Sequence, residues 1–167
     1  MSLTFTTLAT PPTITSYNSL VSANTTASAA ACSGAATVTT TANVVDVMVK
    51  LMIVTPSFTP VAASGITIYI AGSEDGTTWP GAAATTEVLG SDATVTLSTL
   101  GNNLRYLGWL QCHTSGGTFT SEPLSVAQAF GGVLPRKWCI VIVNQLPAGA
   151  SLAASGHALT ATEVSYS

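Results

Sequence analysis

Residues 42–54, ANVVDVMVKLMIV, alternate with a period of two, and this alternation constrains the fold more than any other feature of the chain. Val45, Val47, Val49, Leu51 and Ile53 fall on one face, and Val44, Asp46, Met48, Lys50 and Met52 on the other. Successive side chains of a strand point to opposite faces, whereas an amphipathic helix needs apolar residues three or four apart. The segment therefore predicts a strand with one wholly apolar face, and such a strand needs a sheet and a second layer to cover it. Pro56 and Pro60 end the run. Residues 65–71, GITIYIA, repeat the pattern, with Ile66, Ile68 and Ile70 inward and Thr67 and Tyr69 outward. Residues 137–144, KWCIVIVN, are apolar at almost every position, which predicts a strand covered on both faces or lying at the centre of a sheet.

Shorter strands are expected over 85–89, 93–97, 104–112 and 118–126, the last interrupted at Pro123. A short helix over 121–130, with Pro123 in its first turn, is the alternative there. The last strand is read over 157–166. Turn chemistry separates these runs at Ser73-Glu74-Asp75-Gly76, Ser115-Gly116-Gly117 and 146–149. Short strands punctuated in this way, with no helix-period stretch to compete, predict an all-β fold: an antiparallel β-sandwich, jelly-roll-like. Residues 1–41 are rich in Thr, Ser and Ala and carry no charge. They read as an extended N-terminal arm or tail, ahead of a sandwich domain over 42–167. As an arm, the segment would add a strand to a neighbouring subunit, because an uncharged β-prone segment seeks a partner edge.

Charge narrows the function. Only 7% of the 167 residues are charged, against about 25% in ordinary soluble domains, while Thr and Ser together number 45. A surface of Thr, Ser and Ala tolerates burial against another subunit, since Lys, Glu and Asp are the residues depleted at interfaces. The four cations, Lys50, Arg105, Arg136 and Lys137, are too few and too scattered to follow a phosphate backbone or an anionic membrane. Neither direct nucleic-acid binding nor membrane attachment is expected. The first basic residue is Lys50, so no secretory leader is read, and Asn24-Thr25-Thr26 is taken as a chance glycosylation match. Cys32, Cys112 and Cys139 form no C-x-x-C pair, and they read as free, buried thiols of a reducing compartment in preference to a disulfide.

No catalytic, cofactor-binding or metal-binding residues are assigned, and no cofactor and no enzymatic activity are expected. His113 and His157 lie in no recognisable motif, and G-x-S-x-G is absent. Cys112 and His113 are neighbours, so on a strand they point to opposite faces and do not make a dyad. Glu74 and Asp75 read as solvated turn residues. Trp138 reads as core or interface and Trp109 as core. Trp79, flanked by Gly and Pro, reads as exposed, the one candidate for stacking on a sugar.

The last third of the chain resembles tailed-bacteriophage virion structural proteins of jelly-roll type. The resemblance is carried by Leu134-Pro135-Arg136-Lys137-Trp138, the apolar run from Cys139 to Asn144, and Ala153-Ala154-Ser155-Gly156-His157-Ala158. Tyr17-Asn18-Ser19-Leu20-Val21 and the run from Ile66 through Tyr69 to Gly76 are similar as well. The resemblance implies a structural virion protein: a capsid decoration (cement) protein stabilising the phage head, or alternatively a neck or tail component. It implies a homo-oligomer, with a trimer favoured, the major capsid protein or other virion proteins as partners, and a place in the phage particle after synthesis in the host cytoplasm. A carbohydrate-binding β-sandwich module is the other alternative, resting on Trp79.

Overall fold

Strands form over the two alternating runs and the apolar run that predict them, and also within residues 1–41, which show no such pattern. In the computed structural model, residues 2–22, 30–38, 43–79, 90–95 and 104–167 are described. In chain order the strands are β1 (Leu3–Thr7), β2 (Ala30–Cys32), β3 (Ala36–Thr37), β4 (Asn43–Thr55), β5 (Gly65–Ser73), β6 (Ala93–Val95), β7 (Arg105–Gln111), β8 (Gly117–Thr120), β9 (Leu124–Ser125), β10 (Lys137–Asn144) and β11 (Ala158–Tyr166). A 3-10 turn at Thr15–Tyr17 and one turn of helix, α1 (Val126–Ala129), complete the described elements. The expected strand over 85–89, residues 96 and 97 of the next, and the Asn24 sequon lie outside the described residues.

The strands form two antiparallel sheets, ordered β1-β11-β4-β8 and β6-β2-β10-β5-β7, with β9 also on β4 and β3 also on β10. The pairs β1–β11, β2–β10, β4–β8 and β5–β7 are those of one long hairpin, and rolling it up adds β11–β4 and β10–β5. That is the jelly roll, a double sheet closed by non-local pairing. The fold is an all-β antiparallel sandwich. The N-terminal segment is extended and lies against its own sandwich, where β1 belongs to one sheet and β2 to the other. The boundary expected between 41 and 42 falls outside the described residues, but the strands on either side of it share the same two sheets.

The core lies between the sheets. Val47, Val49, Leu51 and Ile53 of β4 meet Ile66, Ile68 and Ile70 of β5 and Trp138, Ile140 and Ile142 of β10, all fully buried. Each such side chain stabilises the fold by about 1.5–3 kcal/mol through lost apolar exposure. Cys139, Val141 and Val143 point the other way, into a second cluster with Ala71, Val95 and Trp79. Strand β10 is thus both central and covered on both faces. Val45 departs from the expected core face. The β11 register steps from Val164–Asp46 to Ser165–Val44 and skips Val45, a bulge that turns this residue outward to 39% exposure.

The N-terminal segment is tied down by specific bonds. The Tyr17 hydroxyl, fully buried, donates to the Ile140 carbonyl at 2.9 Å. Asp92 accepts from the Thr15 and Ser16 amides at 2.7 and 2.8 Å, capping the 3-10 turn. The buried Asn144 explains why β10 ends on an amide side chain. Its Nδ2 donates to the Leu20 carbonyl at 2.8 Å, and its Oδ1 accepts from the Leu146 amide at 3.0 Å. One side chain therefore joins the N-terminal segment to the turn between β10 and β11.

Candidate functional site

Among the described residues, no three His, Cys, Asp or Glu side chains gather where they could hold a metal ion. Cys112 is buried, and burial pushes its thiol up to about 12, so it is protonated at neutral pH. The neighbouring His113 is exposed and packs edge-on against Phe119, with ring centroids 5.9 Å apart. Both lie just past the end of β7, and one is buried while the other is exposed. His157 is half-buried beside an open groove of about 520 Å³ lined by Pro12, Ile14, Asn18 and Leu159. Both its ring nitrogens are engaged by backbone: Nδ1 accepts from the Val54 amide at 3.1 Å, and Nε2 donates to the Ala153 carbonyl at 2.9 Å. Burial lowers its pKa below the usual histidine value, against the raising effect of the Ala153 carbonyl.

Asp75 organises its turn. Its carboxylate accepts from the Thr77 and Thr78 amides at 2.8 and 2.7 Å and from the Thr78 and Ser73 hydroxyls. The Thr78 hydroxyl and amide lead in holding the carboxyl well below the ordinary carboxylate range. Gly76 follows in the left-handed region at φ 78°, which a side chain would disfavour. The cations do not converge on a common target: Arg105 lies over the Phe130 ring at 4.9 Å, and Arg136 reaches the Asp75 carbonyl at 3.5 Å.

Two tryptophans exchange the places expected for them. Trp79 is only 6% exposed and packs in the second cluster on the outer side of β10, against Gly90. Trp109, expected in the core, is 38% exposed and lies against Gly65, where an added Cβ would fall 2.4 Å from its ring. Trp109 pairs with Thr67, on the side of β5 opposite Ile66 and Ile68, and a bulge in β7 adds Tyr106 to that face. Gly108 pairs with Ile68 and Tyr106 with Tyr69, so Leu107 is skipped, and Tyr106 and Trp109 come to one face of the strand. Tyr106 is 61% exposed, and its ring meets Tyr69 edge-on at 6.2 Å. Strict alternation would put residues 106 and 109 on opposite faces, and only the bulge, which leaves no signature in the sequence, brings them together.

The other distinctive surface is β1. It pairs with β11 on one side and with no described strand on the other, and all five of its residues are exposed. Its register sets Leu3 beside Tyr166 and Phe5 beside Val164. Phe5 is 65% exposed, and neither the strand nor its surroundings before Asp46 in sequence contain a charge. Edge strands that stay unpaired are normally protected by lysine, proline or a bulge, and this one has none of them. Compared with protein-family models, with curated proteins and with solved structures, the chain gives no match.

Proposed function

We propose that this protein is a structural virion protein of a tailed phage, a capsid decoration (cement) protein that stabilises the head by packing between subunits. The observation that carries the reading is the β1 edge, uncharged, aromatic and open to backbone pairing, on a jelly roll whose whole chain is 7% charged. A free monomer gains little from such a surface, whereas a subunit buried against copies of itself or a capsid protein gains apolar contact without stranding charges. In this reading the protein acts by buried area, opposing the pressure of packaged DNA. It works without catalysis, as a homo-oligomer for which a trimer is favoured, with the major capsid protein or other virion proteins as partners. It is made in the host cytoplasm and ends in the particle.

Counting this protein in purified particles, by quantitative mass spectrometry against the major capsid protein, tests the proposal. A copy number comparable to the capsid protein is expected. A number matching one small ring would move the protein to the neck or tail.

The Tyr106 and Trp109 face favours a second reading, a carbohydrate-binding module, since exposed aromatic rings on one strand face suit stacking on sugars. Absence from particles, together with glycan binding lost on Trp109→Ala, would replace the first reading with this one.

A further inference from the structure

The sulfurs of Cys32 and Cys139 lie 3.2 Å apart, on neighbouring strands and on the same side of the sheet. Cys32 ends β2 and pairs with Val141, so Cys139 sits two residues along β10, diagonal to it. Diagonal cross-strand neighbours are usually at the outer limit of disulfide reach. Here the ladder is irregular. Ser33 still follows the β2 register, exchanging bonds with Ile140, but Ala36 pairs with Trp138 one step out of phase. The two thiols nevertheless touch. Closing them to a bond of about 2.05 Å needs a movement of roughly 1 Å, within the range of a side-chain rotation. Both are buried, Cys32 at 1% and Cys139 at 0%, beside Trp79. Cys112 belongs to the inner cluster and takes no part.

We propose that Cys32 and Cys139 are a dithiol site that closes into a cross-strand disulfide, fastening β2, and with it the N-terminal segment, to the central strand β10. The oxidant is a small disulfide such as oxidised glutathione. One cysteine thiolate attacks a sulfur of the reagent and expels one glutathione thiolate, leaving a mixed disulfide. The second cysteine thiolate then attacks the protein sulfur of that intermediate and expels the other glutathione thiolate. The Cys32–Cys139 bond forms and the reagent's S–S bond is cleaved. Two electrons pass to the reagent, and the two cysteine protons go to the released thiolates. Because the pair is buried, exchange takes place while the chain is open, during folding or local unfolding, and the closed bond is then shielded from reductants. The cross-link spans 107 residues, so it restricts the unfolded chain over most of its length. This inference is independent of the virion reading.

The test is to unfold the full chain and refold it once with excess oxidised over reduced glutathione and once with a phosphine reductant. Thiols are then counted by maleimide labelling in denaturant. The oxidised preparation should show one reactive thiol, Cys112, and a peptide map should join Cys32 to Cys139. Its melting temperature should exceed that of the reduced preparation by roughly 10 °C. Cys112→Ser should keep the cross-link and the shift, and Cys32→Ser and Cys139→Ser should each lose both. Three reactive thiols in the oxidised wild type, or a cross-link through Cys112, overturns the proposal, and neither result depends on a variant folding.

Discussion

At the scale of single residues, the side chains that matter most are those with bonds to several segments or with none. Among the described residues, Trp138 is the largest fully buried side chain, and its Nε1 has no hydrogen-bond partner there. Trp138→Ala should therefore cost about 3–5 kcal/mol in chemical denaturation. Trp138→Phe should cost clearly less, because it keeps most of the ring volume and removes a buried donor that bonds to nothing. His157 carries a pH dependence whose sign follows from its bonds. Its folded pKa is lowered, so the unfolded chain takes up the proton more readily, and stability is full above the unfolded value of about 6.5. Stability should then fall as the pH drops from there through the folded value, where protonated Nδ1 can no longer accept from Val54. His157→Gln should flatten that part of a plot of melting temperature against pH. The burial of Trp138 was legible in its strand. The burial of Trp79 was not: it depends on a surface formed by Val95, Cys139 and Val141, which come from distant parts of the chain.

At the scale of elements, alternation identified β4 and β5 and a continuous apolar run identified β10, because each has a long run that faces the core on one side at least. Alternation failed at the bulge at Val45 in β4, and the bulge at Leu107 in β7 breaks alternation in the same way, since one extra residue reverses every later side chain without altering composition. Residues 118–126 read as a strand broken at Pro123, or 121–130 as a short helix with Pro123 in its first turn; the strand breaks as expected and resumes for two residues, and α1 is a single turn that begins only at Val126, past Pro123. Ser125 caps that turn by accepting from Gln128, and Asp46 accepts from the Ala127 amide at 2.9 Å. The N-terminal elements differ sharply in what their loss should do. Deleting residues 2–7 removes only the exposed β1 and should lower the melting temperature by roughly a few degrees, leaving the sandwich folded; under the proposed role, it should also weaken attachment to particles. Deleting residues 2–41 also removes Tyr17, Leu20 and β2, all buried, and should abolish cooperative unfolding in circular dichroism.

At the scale of the whole molecule, fold class was readable because it needs only the type and order of strands. The proposed assembly surface was less so. Low charge announces that much of the surface tolerates burial, but it does not say where. The two candidate faces emerge only from pairing, β1 through the neighbour it lacks and β7 through a bulge. The same global pairing has a consequence in time. Strand β2 lies between β6 and β10, β5 has β10 as one neighbour, and β4 and β1 share β11. A ribosome delivers β10 and β11 last. Before them, the described pairings open to the emerging chain are β2–β6, β4–β8, β4–β9 and β5–β7, while Tyr17 waits for a carbonyl more than a hundred residues downstream. The roll therefore closes only once β10 and β11 have been made, late in the order of strands, as expected where contacts are so distant in sequence.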